Sequence, residues 1–258
     1  MTVKFYKYQG TGNDFIMIDN RDKTVRLKRA AIEQLCDRRF GIGADGLILL
    51  EATKGYDFKM VYYNSDGRES SMCGNGGRCL IQFAHELGLI KKQCKFMAID
   101  GEHEGEILKG GIVSLKMQDV KQIKTPGLAT VMNTGSPHYV GFVNDVQQLN
   151  IVEEARKIRY SKTYTKEGIN VNFVQLKTAT EIFVRTYERG VEDETLSCGT
   201  GVVAACLATA MHSTTLRKIK VQTKGGKLEV KFTPVKNGFE NIYLLGPAQK
   251  VFKGRFEI

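Results

Sequence analysis

The chain has 258 residues, 42% hydrophobic and 26% charged, which is the balance of a globular protein and excludes a disordered or fibrous one. Lys and Arg exceed Asp and Glu by 38 to 28, a formal net charge of +10, but the basic residues are scattered, with only short clusters such as Lys91-Lys92 and Arg217-Lys218. That pattern reads as a solvated positive surface that mildly attracts anions, and no nucleic-acid motif or basic helix interleaved with aromatics is present.

In chain order, the start Met1-Thr2-Val3-Lys4-Phe5 lacks the apolar region of a signal peptide. Strands are expected at Val3–Tyr8, Phe15–Asp19, Leu47–Glu51, Phe58–Asn64 and Ile112–Met117, each rich in β-branched or aromatic residues between turn residues. Ala31, Ile32, Leu35 and Cys36 form a helical stripe. The segment Gly41-Ile42-Gly43-Ala44-Asp45-Gly46 matches a dinucleotide-binding spacing. That motif needs a strand before it and a helix after it, and here the order is reversed, so no nicotinamide or flavin site is expected. Cys79–Leu87 reads as a buried helix that Gly88 stops. The later half repeats this order. Its strands are expected at Ala129–Asn133, Tyr139–Val143, Val171–Leu176, Ile182–Glu188, Ile219–Gln222, Leu228–Phe232 and Ile242–Leu245. Leu149, Val152, Ala155 and Ile158 make a second amphipathic stripe. Cys198–Ala210 is apolar on nearly all sides and should run through a core. The mostly apolar run Val202 to Met211 is too short to span a bilayer. The expected location is therefore cytoplasmic, where the six cysteines stay reduced. With no Cys-x-x-Cys pair and only four histidines, no structural zinc site is expected.

The halves also share motifs. Asp66-Gly67-Arg68-Glu69-Ser70-Ser71-Met72-Cys73-Gly74-Asn75-Gly76 is echoed 125 residues later by Asp193-Glu194-Thr195-Leu196-Ser197-Cys198-Gly199-Thr200-Gly201. Thr11-Gly12-Asn13-Asp14-Phe15 is echoed by Thr134-Gly135-Ser136-Pro137-His138-Tyr139, and Gly41-Ile42 by Gly168-Ile169. Three blocks in one order at nearly one offset imply an internal duplication, hence two related domains, each wrapped around a helix whose first residue is a cysteine. A cysteine at a helix N-terminus meets orphan N–H groups and the positive end of the helix dipole, which favour thiolate over thiol. Glycines in the first turn let a ligand approach those amides, whereas a core helix would gain nothing from losing side chains there. Cys73 and Cys198 are accordingly expected to be reactive, and Cys36, Cys79, Cys94 and Cys206 to be packing residues. Two facing thiols suit removal of a proton from one face of a carbon and its return to the other.

Gly12-Asn13-Asp14-Phe15, Gly41 to Gly46, Asn64-Ser65-Asp66-Gly67, Met72-Cys73-Gly74-Asn75-Gly76, Pro137-His138, Asn170-Val171-Asn172-Phe173, Glu188-Arg189-Gly190 and Cys198-Gly199-Thr200-Gly201 together resemble the diaminopimelate epimerase family over most of the chain. The resemblance implies an α+β fold of two pseudo-symmetric domains, each a strongly curved, largely antiparallel sheet around a central helix. The domains are expected at residues 1–118, completed by a C-terminal strand at about 247–258, and at 119–246, with the active site in the cleft between them. It implies a cofactor-independent isomerase, without pyridoxal phosphate or metal, that interconverts LL- and meso-2,6-diaminopimelate for lysine and peptidoglycan synthesis. Homodimerisation is an expectation from the family alone, and neither nucleic acid nor membrane is an expected partner.

By motif, Cys73 and Cys198 match the catalytic thiols, with His138 and Glu188 as their supporting polar pair. Asn13, Asn64, Asn170, Glu188 and Arg189 match residues that hold the distal amino-acid end or the reacting centre. The amides near Gly74, Asn75, Gly199 and Thr200 match the cradle of the reacting carboxylate. On residue type alone, Arg189 suits a bidentate carboxylate contact and equally a surface position. His138 suits a site or an ordinary turn, and asparagine is common in turns for backbone reasons. Two positions depart from the family pattern: Ser136 stands where Asn is usual, and Val191-Glu192-Asp193-Glu194-Thr195 is one residue longer, so a bulge is expected beside Cys198. Thiol geometry alone would also admit a proline racemase or hydroxyproline epimerase type of enzyme. Asn170 with Glu188-Arg189 argues for a substrate with a second zwitterionic end. A non-enzymatic binding protein would need neither cysteine.

Overall fold

The computed structural model describes residues 1–211 and 213–257; Ile258, at the end of the expected closing strand, lies outside the described residues. The chain divides into two compact units, residues 1–115 with 246–258, and residues 116–245.

In the first unit, β1 (Thr2–Gly10) and β2 (Asn13–Asp19) form a hairpin, and α1 (Arg29–Cys36) leads to β3 (Gly46–Glu51) and β4 (Phe58–Asn64). A short β5 (Glu69–Ser70) precedes α2 (Gly74–Glu86), which is followed by β6 (Gln93–Ala98), β7 (Gly101–Ile107) and β8 (Ile112–Lys116). The second unit repeats the order: β9 (Ile123–Lys124), β10 (Thr130–Asn133), β11 (Pro137–Phe142), α3 (Ile151–Arg159), β12 (Asn170–Thr178), β13 (Glu181–Glu188), β14 (Asp193–Thr195), α4 (Gly199–Ala210), β15 (Lys218–Thr223), β16 (Gly226–Val235) and β17 (Gly238–Pro247). The last strand, β18 (Gln249–Glu257), returns to the first unit and pairs antiparallel with β1.

Among the described registers, pairing is antiparallel except at matched places. β2 pairs parallel with β3 and β4 with β6. β11 pairs parallel with β12 and β13 with β15. Parallel neighbours require a long crossover. α1 and α3 are the crossovers of the first kind, and the cysteine-bearing helices α2 and α4 are those of the second. β9 pairs with β10 as β18 pairs with β1. The α+β architecture of two duplicated, largely antiparallel sheets is thus borne out.

Each sheet is covered on both faces, so its central strands are apolar runs rather than alternating ones. On β2 and β3, Ile16, Ile18, Leu47 and Leu49 pack with Ile32 and Cys36 of α1. In the second unit Val171 and Phe173 pack with Ile151 and Ala155 of α3. The opposite faces enclose α2 and α4. Ten residues of α4 are buried, as its all-round apolar sequence requires.

Several expectations need correction. α2 begins at Gly74, five residues before the expected Cys79, and each cysteine is the N-cap of its helix rather than the first helical residue. β5, β6, β7, β9 and β14 lie outside the strands expected from the sequence. β7 (GEHEGEI) carries three glutamates and owes its strand form to pairing with β6 and β8 on both sides. The extra residue at 191–195 makes no bulge at Cys198: Glu188 pairs with Asp193 in regular register, and residues 189–192 form the hairpin turn. Gly190 (φ 95°) and Glu192 (φ 57°) supply the left-handed conformations that turn needs. The stretch Gly41–Gly46 folds back against the end of α1, with the Ile42 and Gly43 amides donating to Leu35 O at 2.9 and 3.0 Å, and leads into β3, as argued against a dinucleotide site.

Candidate active site

In the first unit, the β1–β2 turn has left-handed φ at Thr11 (52°) and Gly12 (85°), which is the twist of a two-residue hairpin turn. It delivers Asn13 beside Cys73. The Asn13 amide Nδ2 donates to Asp45 Oδ2 at 2.5 Å, and Cys73 Sγ lies 3.6 Å from Asn13 Oδ1 as a donor to it. Asp14 is held by Arg38 and Lys7 at 2.7 and 2.8 Å. Burial opposes its charge, yet those two cations lower its pKa to about 2. Cys73 has extended backbone (φ −94°, ψ 129°), and its carbonyl accepts the Gly77 amide at 2.7 Å. Asn75 is 1% exposed and its side chain is engaged internally: Oδ1 accepts from Arg78 at 2.9 Å, and Nδ2 donates to Asn13 Oδ1 at 3.3 Å. Arg78 is fully buried and donates also to Gly74 O at 3.2 Å. Desolvation lowers its pKa, and among the described residues it has no carboxylate partner. Asn64 ends β4 with an exposed side chain.

In the second unit, Cys198 caps α4 with similar backbone (φ −107°, ψ 112°), and its carbonyl accepts the Val202 amide at 2.9 Å. Its Sγ is 3.5 Å from Thr200 Oγ1. His138 lies beneath, with no solvent exposure; Nε2 is 2.8 Å from Thr200 Oγ1, and Nδ1 is 3.1 Å from Asn172 Nδ2. Burial first, then the Arg189 charge, lowers the His138 pKa to about 3, so the ring is neutral. Asn170 Nδ2 donates to Ser136 Oγ at 2.9 Å and Pro137 O at 3.0 Å, and its Oδ1 accepts the Arg189 amide at 2.9 Å. The exposed Arg189 side chain donates to Glu167 O at 2.9 Å and to Ser136 Oγ at 3.5 Å, so Ser136 joins this cluster. Glu188, at the end of β13, accepts from Thr195 Oγ1 at 3.0 Å.

The predicted residues thus gather into two groups. Asn13, Cys73, Gly74 and Asn75 surround the start of α2, with Asn64 at the end of a neighbouring strand. His138, Cys198, Gly199 and Thr200 surround the start of α4, and Asn170, Glu188 and Arg189 lie at the ends of β12 and β13. The first-turn N–H groups of both helices lack intrahelical acceptors and can receive an anion. The remaining thiols are inert by position. Burial pushes Cys36, Cys79 and Cys94 up to about 12, and raises Cys206 well above its ordinary value. No cluster of metal-ligating side chains and no helix long and apolar enough to cross a membrane occurs among the described residues.

The glycines after the cysteines have a packing reason that sequence reasoning denied them. A Cβ on Gly76 would stand 3.0 Å from Ile48 Cδ1, and one on Gly201 only 2.3 Å from Asn172 Oδ1. Asn172, Thr186, Asp45 and Arg78 received no role from sequence. Asn172 stood inside a recognised motif, but as a strand residue its direction was legible only from the register.

Two duplicated α+β sheets, each wound round a helix capped by cysteine, define a class of two-domain α+β folds. A Bacillus anthracis protein of the phenazine biosynthesis PhzF family shares this fold (TM-score 0.79, 15% identity, all of both chains). So does a hydroxyproline epimerase from Agrobacterium vitis (TM-score 0.69, 11% identity, 98% of this chain and 92% of that one). At sequence level, the diaminopimelate epimerase family model matches residues 5–123 and 130–251. A diaminopimelate epimerase of Flavobacterium psychrophilum is 53% identical over 253 residues, covering 97% of this chain and 99% of that protein. The chain belongs to the diaminopimelate epimerase family.

Proposed function

We propose that this chain interconverts LL- and meso-2,6-diaminopimelate, with Cys73 and Cys198 as the two proton-transfer groups at one α-carbon. The observation that carries the reading is the pair of cysteines at the N-caps of matched central helices, each within hydrogen-bond reach of a polar partner. An amino-acid α-proton is far less acidic than a thiol, so base strength alone does not remove it. The electron pair of the broken C–H bond moves into the substrate carboxylate as an enediolate. First-turn amides of α2 and α4 are suited to stabilise that charge. One thiolate takes the proton, the other thiol delivers its own to the opposite face, and a single base would tend to return it to the face it left. Asn170 and Arg189, with Glu188 nearby, offer both signs of charge and amide groups to a distal zwitterion.

Proton NMR of the protein with LL-diaminopimelate in D2O tests this reading. Deuterium should enter one α-position as the meso isomer appears, without added cofactor. Cys73→Ala and Cys198→Ala should each lower that rate by on the order of a thousandfold or more. Epimerisation at the parent rate in either variant would sink the two-thiol mechanism, and exchange only with proline or hydroxyproline would replace the substrate.

A further inference from the structure

The two units place different chemistry at matched positions beneath the cysteine-bearing helix. In the first, the registers Phe15↔Gly46 and Ile48↔Tyr62 set Phe15, Ile48 and Tyr62 on adjacent strands. In the second, His138↔Asn170 and Asn172↔Thr186 set His138, Asn172 and Thr186 at the same places. The glycine three residues after each cysteine touches the set below it. A Cβ on Gly76 would meet Ile48 at 3.0 Å and Phe15 at 3.4 Å; one on Gly201 would meet Asn172 at 2.3 Å and both His138 and Thr186 at 3.3 Å. The first unit fills the same places with Phe15, Ile48 and a tyrosine, so packing there does not require the His–Asn–Thr set. It is deeply buried, with His138 and Asn172 at 0% and Thr186 at 3% exposure. Polar groups in such a place must be fully satisfied or they destabilise the core.

The satisfaction is directional. Tyr139 O can only accept, and Asn172 Nδ2 donates to it at 2.9 Å, while Asn172 Oδ1 accepts from Thr186 Oγ1 at 2.9 Å. The amide orientation is thereby fixed, and Nδ2 is also what faces His138 Nδ1. A neutral imidazole that accepts at Nδ1 carries its proton on Nε2. Nε2–H then donates to Thr200 Oγ1, and the single hydroxyl hydrogen of Thr200 is left for Cys198 Sγ. The first unit runs the other way. The Asp45 carboxylate takes the Asn13 Nδ2 hydrogen, so Asn13 shows Cys73 only its Oδ1, an acceptor.

We propose that Asn172 is a positioning residue: it fixes His138 as an Nε2–H donor, so that Thr200 directs its hydroxyl hydrogen at Cys198, which rests as the thiolate while Cys73 rests as the thiol. This rests on the two-thiol reading above. From that state the substrate α-proton passes to Cys198, the C–H electron pair is held in the enediolate, and the Cys73 proton completes the new C–H bond on the opposite face. Charged groups on β13, β14 and the turn between them, around the second group, include Arg185, Glu188, Arg189, Asp193 and Glu194; around the first they include Lys7, Asp14, Arg38, Asp45 and Arg78. Arg78 favours an anion at Cys73, but its donors are engaged by Gly74 O, Asn75 Oδ1 and Thr11 Oγ1.

The test is the pH dependence of iodoacetamide labelling of each cysteine in the substrate-free protein, read by peptide mass spectrometry. Histidine-selective 15N NMR reports the His138 tautomer alongside it. The midpoint for Cys198 should lie below that for Cys73, and His138 should be protonated on Nε2. Asn172→Asp, an acceptor of the same shape, should move the proton to Nδ1 and slow Cys198 labelling at pH 7 about tenfold. Thr200→Val, which adds no charge, should raise the Cys198 midpoint similarly and leave the tautomer unchanged. The Cys73 midpoint, unchanged in both variants, reports that the fold is intact. A lower midpoint at Cys73 in the parent protein would overturn the assignment and give the Arg78 charge the deciding weight. An Nδ1–H tautomer in the parent, or a Cys198 midpoint that neither variant moves, would overturn the role of Asn172. Because labelling needs no turnover, these failures are distinct from loss of epimerisation, which would refute the two-thiol reading itself.

Discussion

His138 is an imidazole held neutral by burial and by the Arg189 charge, with both nitrogens engaged. In the unfolded chain it takes a proton near its ordinary 6.5; in the folded protein it does not until about 3. Between those values the unfolded state binds more protons, so stability should fall as pH drops through that window, by up to about 1.4 kcal/mol per pH unit from this group. Urea unfolding at intervals from pH 7 to pH 4 would show the slope, and His138→Gln should flatten it. An unchanged slope in the variant would mean that other groups set the acid sensitivity. Gly201 is the second residue with a decided outcome. Ala there must displace Asn172 Oδ1 from 2.3 Å, and overpacking of this kind costs about 2 kcal/mol. Gly201→Ala should therefore lower the thermal midpoint by several degrees and impair epimerisation; a variant with parent stability and rate would show that the helix start shifts freely.

The hairpin of β13 and β14 is the element that aims Cys198. Arg185 grips Glu194 through two contacts of 2.6 and 2.8 Å and donates to Val146 O at 2.7 Å and Leu149 O at 3.1 Å. One guanidinium thus ties β13, β14 and the segment before α3. Its turn is secured separately by Glu192, which accepts from Arg159, Tyr160 and Tyr187 at 2.9, 2.9 and 3.1 Å. Removing one partner of a buried pair leaves the other uncompensated, so Arg185→Met should destabilise by about 3 kcal/mol in urea titration. A loss below about 1 kcal/mol, the range of exposed pairs, would show that Lys224, 2.6 Å from Glu194, already supplies the compensation.

At the scale of the whole chain, the duplication is offset by one strand. β9 opens the second unit beside β10, while the strand that plays its part for β1 is β18, from the opposite end of the sequence. The first unit is therefore incomplete until β18 is made, and β1 without β18 is an open edge. A chain ending at Ala248 should lose hydrogen-exchange protection in β1 and β2 while β10 to β13 keep theirs. Equal loss in both units would mean that they unfold as one.

What the sequence determined by itself was whatever repeats or is local. The ordered echo of three motifs carried the duplication, the all-round apolar stretch after Cys198 carried a core helix, and periodic Leu149, Val152, Ala155 and Ile158 carried α3. The cysteine contexts carried the family. What only the tertiary structure decided was whatever depends on pairing between distant segments. The glutamate-rich β7 is a strand because two neighbours pair with it, and Gly76 and Gly201 are glycines because side chains from β3 and β12 press on them. That Asn172 faces His138, while its counterpart Ile48 faces Phe15, follows from strand register, where one residue of slip would turn every side chain to the other face. Register is fixed by contacts dozens of residues apart, and no local pattern in the chain encodes it.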